Sequence, residues 1–292
     1  MSHDLSLHLA SSHKFSPLTN YSLFVNDCLD ILSIMDTESI QLIVTSLPYN
    51  LKKKYESRIP MQQYLEQQDK VISECVRLLK PQGSICWQVG NYIKNGTIIP
   101  LDIILYPLFI KHGLQLRNRI VWSFEHGLHC KHRFSGRYET ILWFTKTDDY
   151  IFNLDAIRVP QKYPKKKYFK GTKKGQYSCN PLGKNPGDFW LIPNVKHNHI
   201  EKTEHPCQFP VELVERLVLA LSNKNDVVLD PFVGTGTSVI AAVRHGREGI
   251  GIDNCESYIN IARTRLKEEQ AGTLKTRPMN RPIYEPQNNA RT

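Results

Sequence analysis

No stretch of this 292-residue sequence reaches the roughly 18 consecutive apolar residues that a membrane-spanning helix needs. The amino terminus has neither the basic start nor the apolar run of a secretory signal, so we expect a cytoplasmic protein. C-x-x-C pairs are also missing, and the seven cysteines are scattered, which predicts reduced thiols rather than disulfides or a zinc ribbon. The length of 292 residues excludes a disulfide-held mini-protein, and 40% hydrophobic with 23% charged residues is the composition of a folded globular protein.

Acidic residues are in the minority. The chain has 38 Lys and Arg against 28 Asp and Glu, a net charge of +10 that favours a polyanionic partner. The segment 162–174 contains no acid and interleaves aromatic residues with seven lysines: Lys162, Lys165, Lys166, Lys167, Lys170, Lys173 and Lys174. Such a run is either a solvated surface loop or a nucleic-acid contact.

Strand-like apolar runs alternate with helical periods along most of the chain. Strands are predicted over 41–45, 84–89, 117–123, 138–145, 226–230 and 248–253, and helices over 61–80, 98–112, 211–221, 237–245 and on to about 269. The alternation predicts an α/β fold with a doubly wound, mostly parallel sheet. Regular patterns stop over 148–204, a length that indicates either function or disorder, and 271–292 is predicted to be a flexible tail.

A glycine-rich turn lies in the second half of the chain. Val227-Val-Leu-Asp230-Pro-Phe232-Val-Gly234-Thr-Gly236-Thr237 is typical of a strand, a turn that a ligand can approach closely, and a helix start. The next strand ends in Asp253, where doubly wound nucleotide-binding units hold ribose hydroxyls. The pattern predicts an adenosine-containing cofactor. NAD is the weaker alternative because the third glycine of the dinucleotide fingerprint is missing, and a merely structural βαβ unit is the other.

A second motif, Ser46-Leu47-Pro48-Tyr49, directly follows the predicted strand 41–45. It offers a hydroxyl, a backbone carbonyl, a rigid proline and an aromatic ring at one edge of the sheet. The two oxygens suit the two hydrogens of an amino group, and the ring suits stacking on a flat base. The alternative is a loop in which Pro48 merely ends the strand.

Taken in order, these motifs resemble the amino-group DNA methyltransferases of the β order, over about residues 20–265. The resemblance implies a Rossmann-like S-adenosylmethionine-dependent methyltransferase fold with a catalytic half over 20–147, an inserted target-recognition region over 148–204 and a cofactor-binding half over 205–270. It implies S-adenosyl-L-methionine as the cofactor and double-stranded DNA as the substrate. It also suggests a bacterial restriction-modification system with a partner endonuclease encoded elsewhere.

The resemblance also assigns site residues. The catalytic tetrapeptide is Ser46, Leu47, Pro48 and Tyr49, with Tyr49 stacking on a flipped base. The cofactor contacts are Asp27 near the adenine, Asp253 at the ribose, His205 and Pro206 at the methionine end, and Asp230, Phe232, Gly234, Gly236 and Thr237 in the loop. We expect DNA contacts from the seven lysines of 162–174 and from Arg133 and Arg137; for the arginines, pairing with Glu125 or Glu139 is the alternative.

The first catalytic position distinguishes the target bases within this family. Ser46 with Pro48 and Tyr49 resembles the cytosine-N4 enzymes, whereas the adenine-N6 enzymes of this order usually carry Asp there. Leu47 departs from the pattern, because proline is usual at that position. The prediction is direct methyl transfer to cytosine N4, with adenine N6 as the nearest alternative; an NAD-dependent oxidoreductase and a catalytically silent DNA-binding module are alternatives from other classes.

No metal is expected. Two histidine-cysteine groups stand out, His126, His129, Cys130 and His132, and His197, His199, His205 and Cys207, but neither has a standard zinc-ligand spacing. The sequence leaves open whether the protein is a monomer or a homodimer, and it does not reveal which DNA sequence is recognised.

Overall fold

The computed structural model describes residues 20–50, 59–125, 127 and 129–281. These residues form ten strands: β1 Tyr21–Val25, β2 Ile40–Ser46, β3 Leu79–Val89, β4 Asn91–Lys94, β5 Thr97–Pro100, β6 Gln115–Ser123, β7 Tyr138–Thr145, β8 Phe189–Leu191, β9 Val227–Asp230 and β10 Glu248–Asp253. They also form six α-helices: α1 Cys28–Ser33, α2 Met61–Leu78, α3 Leu101–Lys111, α4 Val211–Leu221, α5 Thr237–Arg244 and α6 Glu256–Gln270. Among the described residues no helix is long and apolar enough to cross a membrane.

Eight strands form one sheet in the order β1-β10-β9-β2-β3-β7-β6-β8. The first five strands in this order, β1, β10, β9, β2 and β3, are all parallel to their neighbours. Strand β7 is antiparallel to both β3 and β6, and β8 is parallel to β6. From β2 the chain continues outward to β3, whereas from β9 it continues in the opposite direction to β10. This reversal opens a crevice at the carboxyl ends of β2 and β9. The predicted α/β fold with a mostly parallel, doubly wound sheet is confirmed.

Helices cover both faces of the sheet. Helices α1, α2 and α3 contribute buried side chains to one core, and α4, α5 and α6 contribute to the other. Strand β2 shows why the central strands are continuously apolar: Ile43 packs in the first core, while its neighbours Leu42 and Val44 pack in the second. A strand covered on both faces leaves no position for a solvated side chain until it ends at Ser46.

The predicted helix 98–112 is wrong in its first turn. Strands β4 and β5 form an antiparallel hairpin there, and α3 begins only at Leu101. Asn95 and Gly96, with φ of 51° and 79°, connect the strands, and Asn-Gly is the preferred pair for such a two-residue turn. The chain also enters β3 at Leu79, so the strand predicted over 84–89 begins five residues earlier.

The segment 148–204 is irregular for most of its length, but it is tied to the sheet. It contains a single 3₁₀ turn, Leu154–Ile157, and the short strand β8, which extends the sheet by pairing with β6. Trp190 and Ile192 of this part are buried in the second core. The boundaries of a separate recognition region remain a prediction.

Residues 271–281 are held against α4. The Arg277 backbone amide donates to Glu201, its guanidinium pairs with Glu212, and the Asn280 amide donates to Glu212 at 2.8 Å. This part of the tail, which was predicted to be flexible, is therefore held in place, because it supplies the partners of two buried carboxylates, Glu201 and Glu212. Residues 282–292 lie outside the described ranges.

Candidate active site

A cleft lies at the carboxyl ends of β1, β10, β9 and β2. Its volume is about 920 Å³, including the space that is open to solvent. Five separate segments of the chain meet there, within 26–28, 46–49, 205–209, 231–237 and 253–258. The predicted residues that line the cleft are Asp27, Ser46, Leu47, Pro48, Tyr49, His205, Phe232, Gly234, Thr237 and Asp253. Sequence reasoning missed further lining residues, which include Asn26, Cys28, Cys207, Gln208, Phe209, Asn254 and Tyr258.

Two carboxylates meet at one end of the cleft because β1 and β10 end side by side. Val25 is in register with Asp253, and the Asn26 amide donates to the Asp253 carbonyl at 3.2 Å. Asp27 caps α1 by accepting from the Leu29 amide at 2.8 Å. The Asp253 side chain accepts from the Gly234 amide at 3.0 Å, and burial raises the pKa of its carboxyl. This end of the cleft is therefore acidic and built on fixed backbone.

The loop between β9 and α5 needs glycine for two reasons. Gly234 and Gly236 have φ of 49° and 85°, in the left-handed region that other residues rarely adopt. A Cβ on Gly236 would also lie 2.8 Å from the Ala262 Cβ of α6. The loop is consequently pressed against α6 and turned so that Gly234 and Thr237 face the cleft.

Asp230 lies behind the cleft wall instead of lining it. Its oxygens accept from Thr45 Oγ1 at 2.6 Å, Ser238 Oγ at 2.5 Å and the Phe232 amide at 3.0 Å. Burial raises the pKa of this carboxyl to about 6. Asp230 thus joins the ends of β2 and β9 to the glycine loop, a supporting position that differs from the predicted cofactor contact. Pro206 and Gly236 are likewise absent from the lining of the cleft among the described residues.

His205 is held neutral in the wall of the cleft. Burial, with the nearby Lys202 ammonium, lowers its pKa to about 4. Its Nδ1 accepts from the Cys207 amide at 3.2 Å, and its ring meets the Tyr258 ring edge-on at a centroid distance of 4.5 Å. At neutral pH this imidazole therefore adds no positive charge to the cleft.

The loop that carries the predicted catalytic residues Ser46 to Tyr49, called the catalytic loop below, is held at its far end. The Pro48 carbonyl accepts from the Tyr64 hydroxyl at 3.0 Å. Asn50, with φ of 59°, bonds through its side chain to both backbone groups of Ile59, at 2.8 and 2.7 Å. Within the described ranges no hydrogen bond reaches the Leu47 carbonyl. A backbone acceptor and the Ser46 hydroxyl thus stand together on a fixed loop.

Tyr49 is attached to two strands that the sequence did not assign to the site. Its hydroxyl accepts from Gln88 Nε2 at 2.7 Å, and Glu139 lies 3.4 Å from the same hydroxyl. Loss of water contact raises the pKa of Glu139 and of Tyr49. The sequence did offer a signal for these two residues, because Gln88 near the carboxyl end of β3 and Glu139 near the amino end of β7 are polar residues in apolar strands.

The residues of the cleft fit the cofactor that the resemblance implies. Carboxylates at Asp27 and Asp253 suit adenine and ribose donors, and Phe232 supplies an aromatic surface. A neutral His205 beside two carboxylates also suits a ligand that carries a positive sulfonium. Within the described ranges no group of three or more His, Cys, Asp or Glu could hold a metal ion, and His126 lies outside those ranges.

The predicted DNA contacts lie on exposed segments. All seven lysines of 162–174 are exposed. This segment folds back on itself: Lys167 and Tyr177 form an isolated antiparallel β-bridge, and the Ser178 amide donates to the Lys166 carbonyl at 2.9 Å. Arg133 is exposed in the β6–β7 connection, next to a fully exposed Phe134, and the Arg137 side chain donates to the Gly136 carbonyl. These residues do not line the cleft.

Comparison with known proteins places this arrangement among DNA-modifying enzymes. The profile of a DNA methylase family matches residues 40–264. The type II methyltransferase M.BglII of Bacillus subtilis is 48% identical over 260 residues, which cover 89% of this chain and 72% of that protein. The DNA adenine methyltransferase YhdJ of Escherichia coli (strain K12) is 35% identical over 247 residues, 82% of this chain and 80% of its own. The Thermus thermophilus protein TTHA0409, solved with S-adenosyl-L-methionine, superposes with a TM-score of 0.62 at 28% identity and covers 86% of this chain and 95% of its own.

Proposed function

Because the chain belongs to the DNA methylase family, we propose that it methylates the exocyclic N4 amino group of a flipped cytosine in duplex DNA. It is a site-specific DNA methyltransferase of the restriction-modification type, and its cofactor is S-adenosyl-L-methionine. The observation that carries the choice of base is the identity of Ser46 at the first position of the tetrapeptide, where the adenine-N6 enzymes of this order usually carry Asp; Ser46 and Leu47 both line the cleft.

When it is bound, S-adenosyl-L-methionine supplies an activated methyl group on a sulfonium. Asp253 would hold the ribose hydroxyls, Phe232 would contact the adenine, and His205 with the glycine loop would hold the methionine end. Asp27 would accept from the adenine. This assignment leaves the side of the cleft formed by Ser46 to Tyr49 for the second substrate.

The second substrate is a base that must leave the duplex, because its amino group is unreachable inside the stack. Ser46 Oγ and the Leu47 carbonyl would each accept one hydrogen of that amino group. These bonds orient the nitrogen and favour a pyramidal geometry as the methyl arrives, so the lone pair becomes available for transfer. Tyr49 would stack on the extruded ring. No covalent bond between enzyme and base is required.

Adenine N6 is the second candidate. YhdJ, 35% identical to this chain, is a DNA adenine methyltransferase. Leu47 also stands where the cytosine-N4 enzymes usually have proline, so the rigidity of the loop depends here on the Tyr64 and Asn50 contacts. The cofactor, the flipping step and the DNA contacts are the same for both candidates.

Product analysis distinguishes the two. The purified protein is incubated with S-adenosyl-L-methionine and unmethylated genomic DNA, the DNA is digested to nucleosides, and the product is identified by mass spectrometry against both standards. We expect N4-methyldeoxycytidine. N6-methyldeoxyadenosine would contradict the assignment of cytosine as the target but would leave the proposed cofactor site and base flipping unchanged. Absence of any methylated nucleoside would refute the methyltransferase assignment.

A further inference from the structure

A polar cluster behind Tyr49 has no part in the reaction as described. Gln88 of β3 is buried, and Glu139 of β7 is partly buried. The amide of Gln88 donates to the Tyr49 hydroxyl at 2.7 Å and also to the Glu139 carboxylate. Three elements, the catalytic loop, β3 and β7, therefore meet at one phenol oxygen.

Gly90 allows this meeting. It follows β3 directly, and a Cβ there would lie 2.8 Å from Tyr49 Cε2 and 3.1 Å from Glu139 Oε1. The ring and the carboxylate thus both rest on the backbone of one residue that has no side chain. Such contact on the ring edge restricts the tilt of the ring, while the hydroxyl contacts restrict the position of its tip.

The hydrogen-bond donors and acceptors of the cluster form a directed chain. Gln88 Nε2 has two hydrogens, and these go to the Tyr49 oxygen and to Glu139. The hydroxyl hydrogen of Tyr49 is then left for the Glu139 carboxylate, 3.4 Å away. Glu139 is the terminal acceptor of the cluster, faced by Tyr49 and, from the segment after β8, by Lys196.

We propose that Glu139 is a positioning residue that, together with Gln88, sets the ring plane of Tyr49 for stacking on the extruded base. The proposal rests on the proposed base-flipping function. A carboxylate here does not touch the substrate; it fixes the aromatic surface against which the amino group is aligned with the methyl donor. Small errors in such alignment are costly, about a hundredfold in rate for a displacement of roughly 1 Å.

A double-mutant cycle on methyl transfer tests the proposal. We expect E139A and Y49F each to lower kcat about tenfold, because each removes the anchor of the phenol tip. The Y49F/E139A double variant should be no slower than Y49F alone, because Y49F already removes the Tyr49–Glu139 contact together with the Gln88 contact to the same hydroxyl. E139Q, which keeps an acceptor oxygen, should recover part of the rate. E268A, on the exposed last turn of α6, is the charge-matched control and should leave kcat unchanged.

A second readout reports the stacking itself. Sequencing of the methylated product locates the target position, and 2-aminopurine placed there fluoresces when it leaves the stack and is quenched when an aromatic ring covers it. E139A and Y49F should both give brighter complexes than the wild type, with cofactor affinity and melting temperature retained. Multiplicative losses in the double variant, or an E139A protein equal to the wild type, would overturn the proposal. A wild-type protein without methyl transfer would instead refute the proposed function.

Discussion

At the scale of single residues, Ser46 and Asp253 face the same cleft from the ends of different strands, and the proposed reaction gives them separate tasks. S46A should lower kcat about tenfold, the value of one hydrogen bond to the reacting amino group, with an unchanged cofactor dissociation constant. D253A should raise that dissociation constant roughly 10- to 100-fold, because bonds from the ribose hydroxyls to a carboxylate are lost. Titration calorimetry with S-adenosyl-L-methionine and single-turnover transfer measure the two effects.

Asp253 also accepts from the Gly234 and Cys255 amides, so D253A removes two contacts that hold the backbone around the cleft. D253N is the control, because its remaining oxygen keeps one of these acceptors. An S46A protein with full turnover would remove Ser46 from the mechanism, and a D253A protein with wild-type affinity would contradict the placement of the ribose.

The buried carboxyl of Asp230 makes a prediction about pH and stability. Its folded-state pKa of about 6 lies above the usual value of 3.8, so the folded protein holds this proton more tightly than the unfolded chain. Protonation of this carboxyl therefore adds about 3 kcal/mol to the free energy of unfolding. This contribution is fully present below pH 3.8 and is lost as pH rises through 6. D230N cannot ionise. Denaturant unfolding should show D230N gaining stability relative to the wild type between about pH 4 and pH 7; a pH-independent difference would mean that Asp230 titrates normally.

At the scale of elements, the contact between the glycine loop and α6 makes Gly236 sensitive to substitution. G236A adds a methyl group 2.8 Å from the Ala262 Cβ at a positive φ of 85°. Gly113 offers a matched control, because its φ is 79° and a Cβ there meets nothing within 4 Å. Both variants incur the left-handed cost of about 1–2 kcal/mol, and G236A should lose about 1–3 kcal/mol more from overpacking. If urea unfolding gives the same loss of stability for G236A and G113A, then α6 shifts to accommodate the added methyl group and the overpacking term is absent.

The elements that could be predicted are those whose pattern is local. Apolar runs of β-branched residues identified β2, β9 and β10, and the 3.6-residue period identified α4. The β4–β5 hairpin was missed because a helical reading of its isoleucines outweighed Asn95-Gly96. β8 was missed because three residues have no period and the strand exists only through its pairing with β6.

The site divides in the same way. Its motifs were recognisable because Ser46 to Tyr49, Gly234 and Asp253 each follow a strand, where side chains at a carboxyl edge converge. The inward turn of Asp230 could not be foreseen, since it depends on Thr45 and Ser238 being brought next to it. Gln88 and Glu139 are 51 residues apart and meet only through the antiparallel register of β3 and β7.

At the scale of the whole molecule, the sheet order assembles the cleft from distant parts of the chain. Asp27 and Asp253 stand at adjacent strand ends only because β1 pairs with β10 at the edge of the sheet, separated from β2, its neighbour in sequence, by β10 and β9. The proposed division into catalytic and cofactor halves is therefore not a division into separate bodies, because β1 of the first half pairs with β10 of the second.

The net charge of +10 predicts DNA binding that depends on salt, and the exposed lysines of 162–174 are the natural source. A triple variant K165A/K166A/K167A should bind duplex DNA more weakly, and the slope of log affinity against log salt should fall by about 0.9 for each phosphate that is no longer neutralised. Cofactor affinity should not change, because these lysines do not line the cleft. The control K224A/K267A/K275A removes the same charge from exposed positions outside this segment. If both variants reduce the slope equally, the effect is one of net charge; a reduction confined to the first variant assigns the phosphate-binding role to this segment.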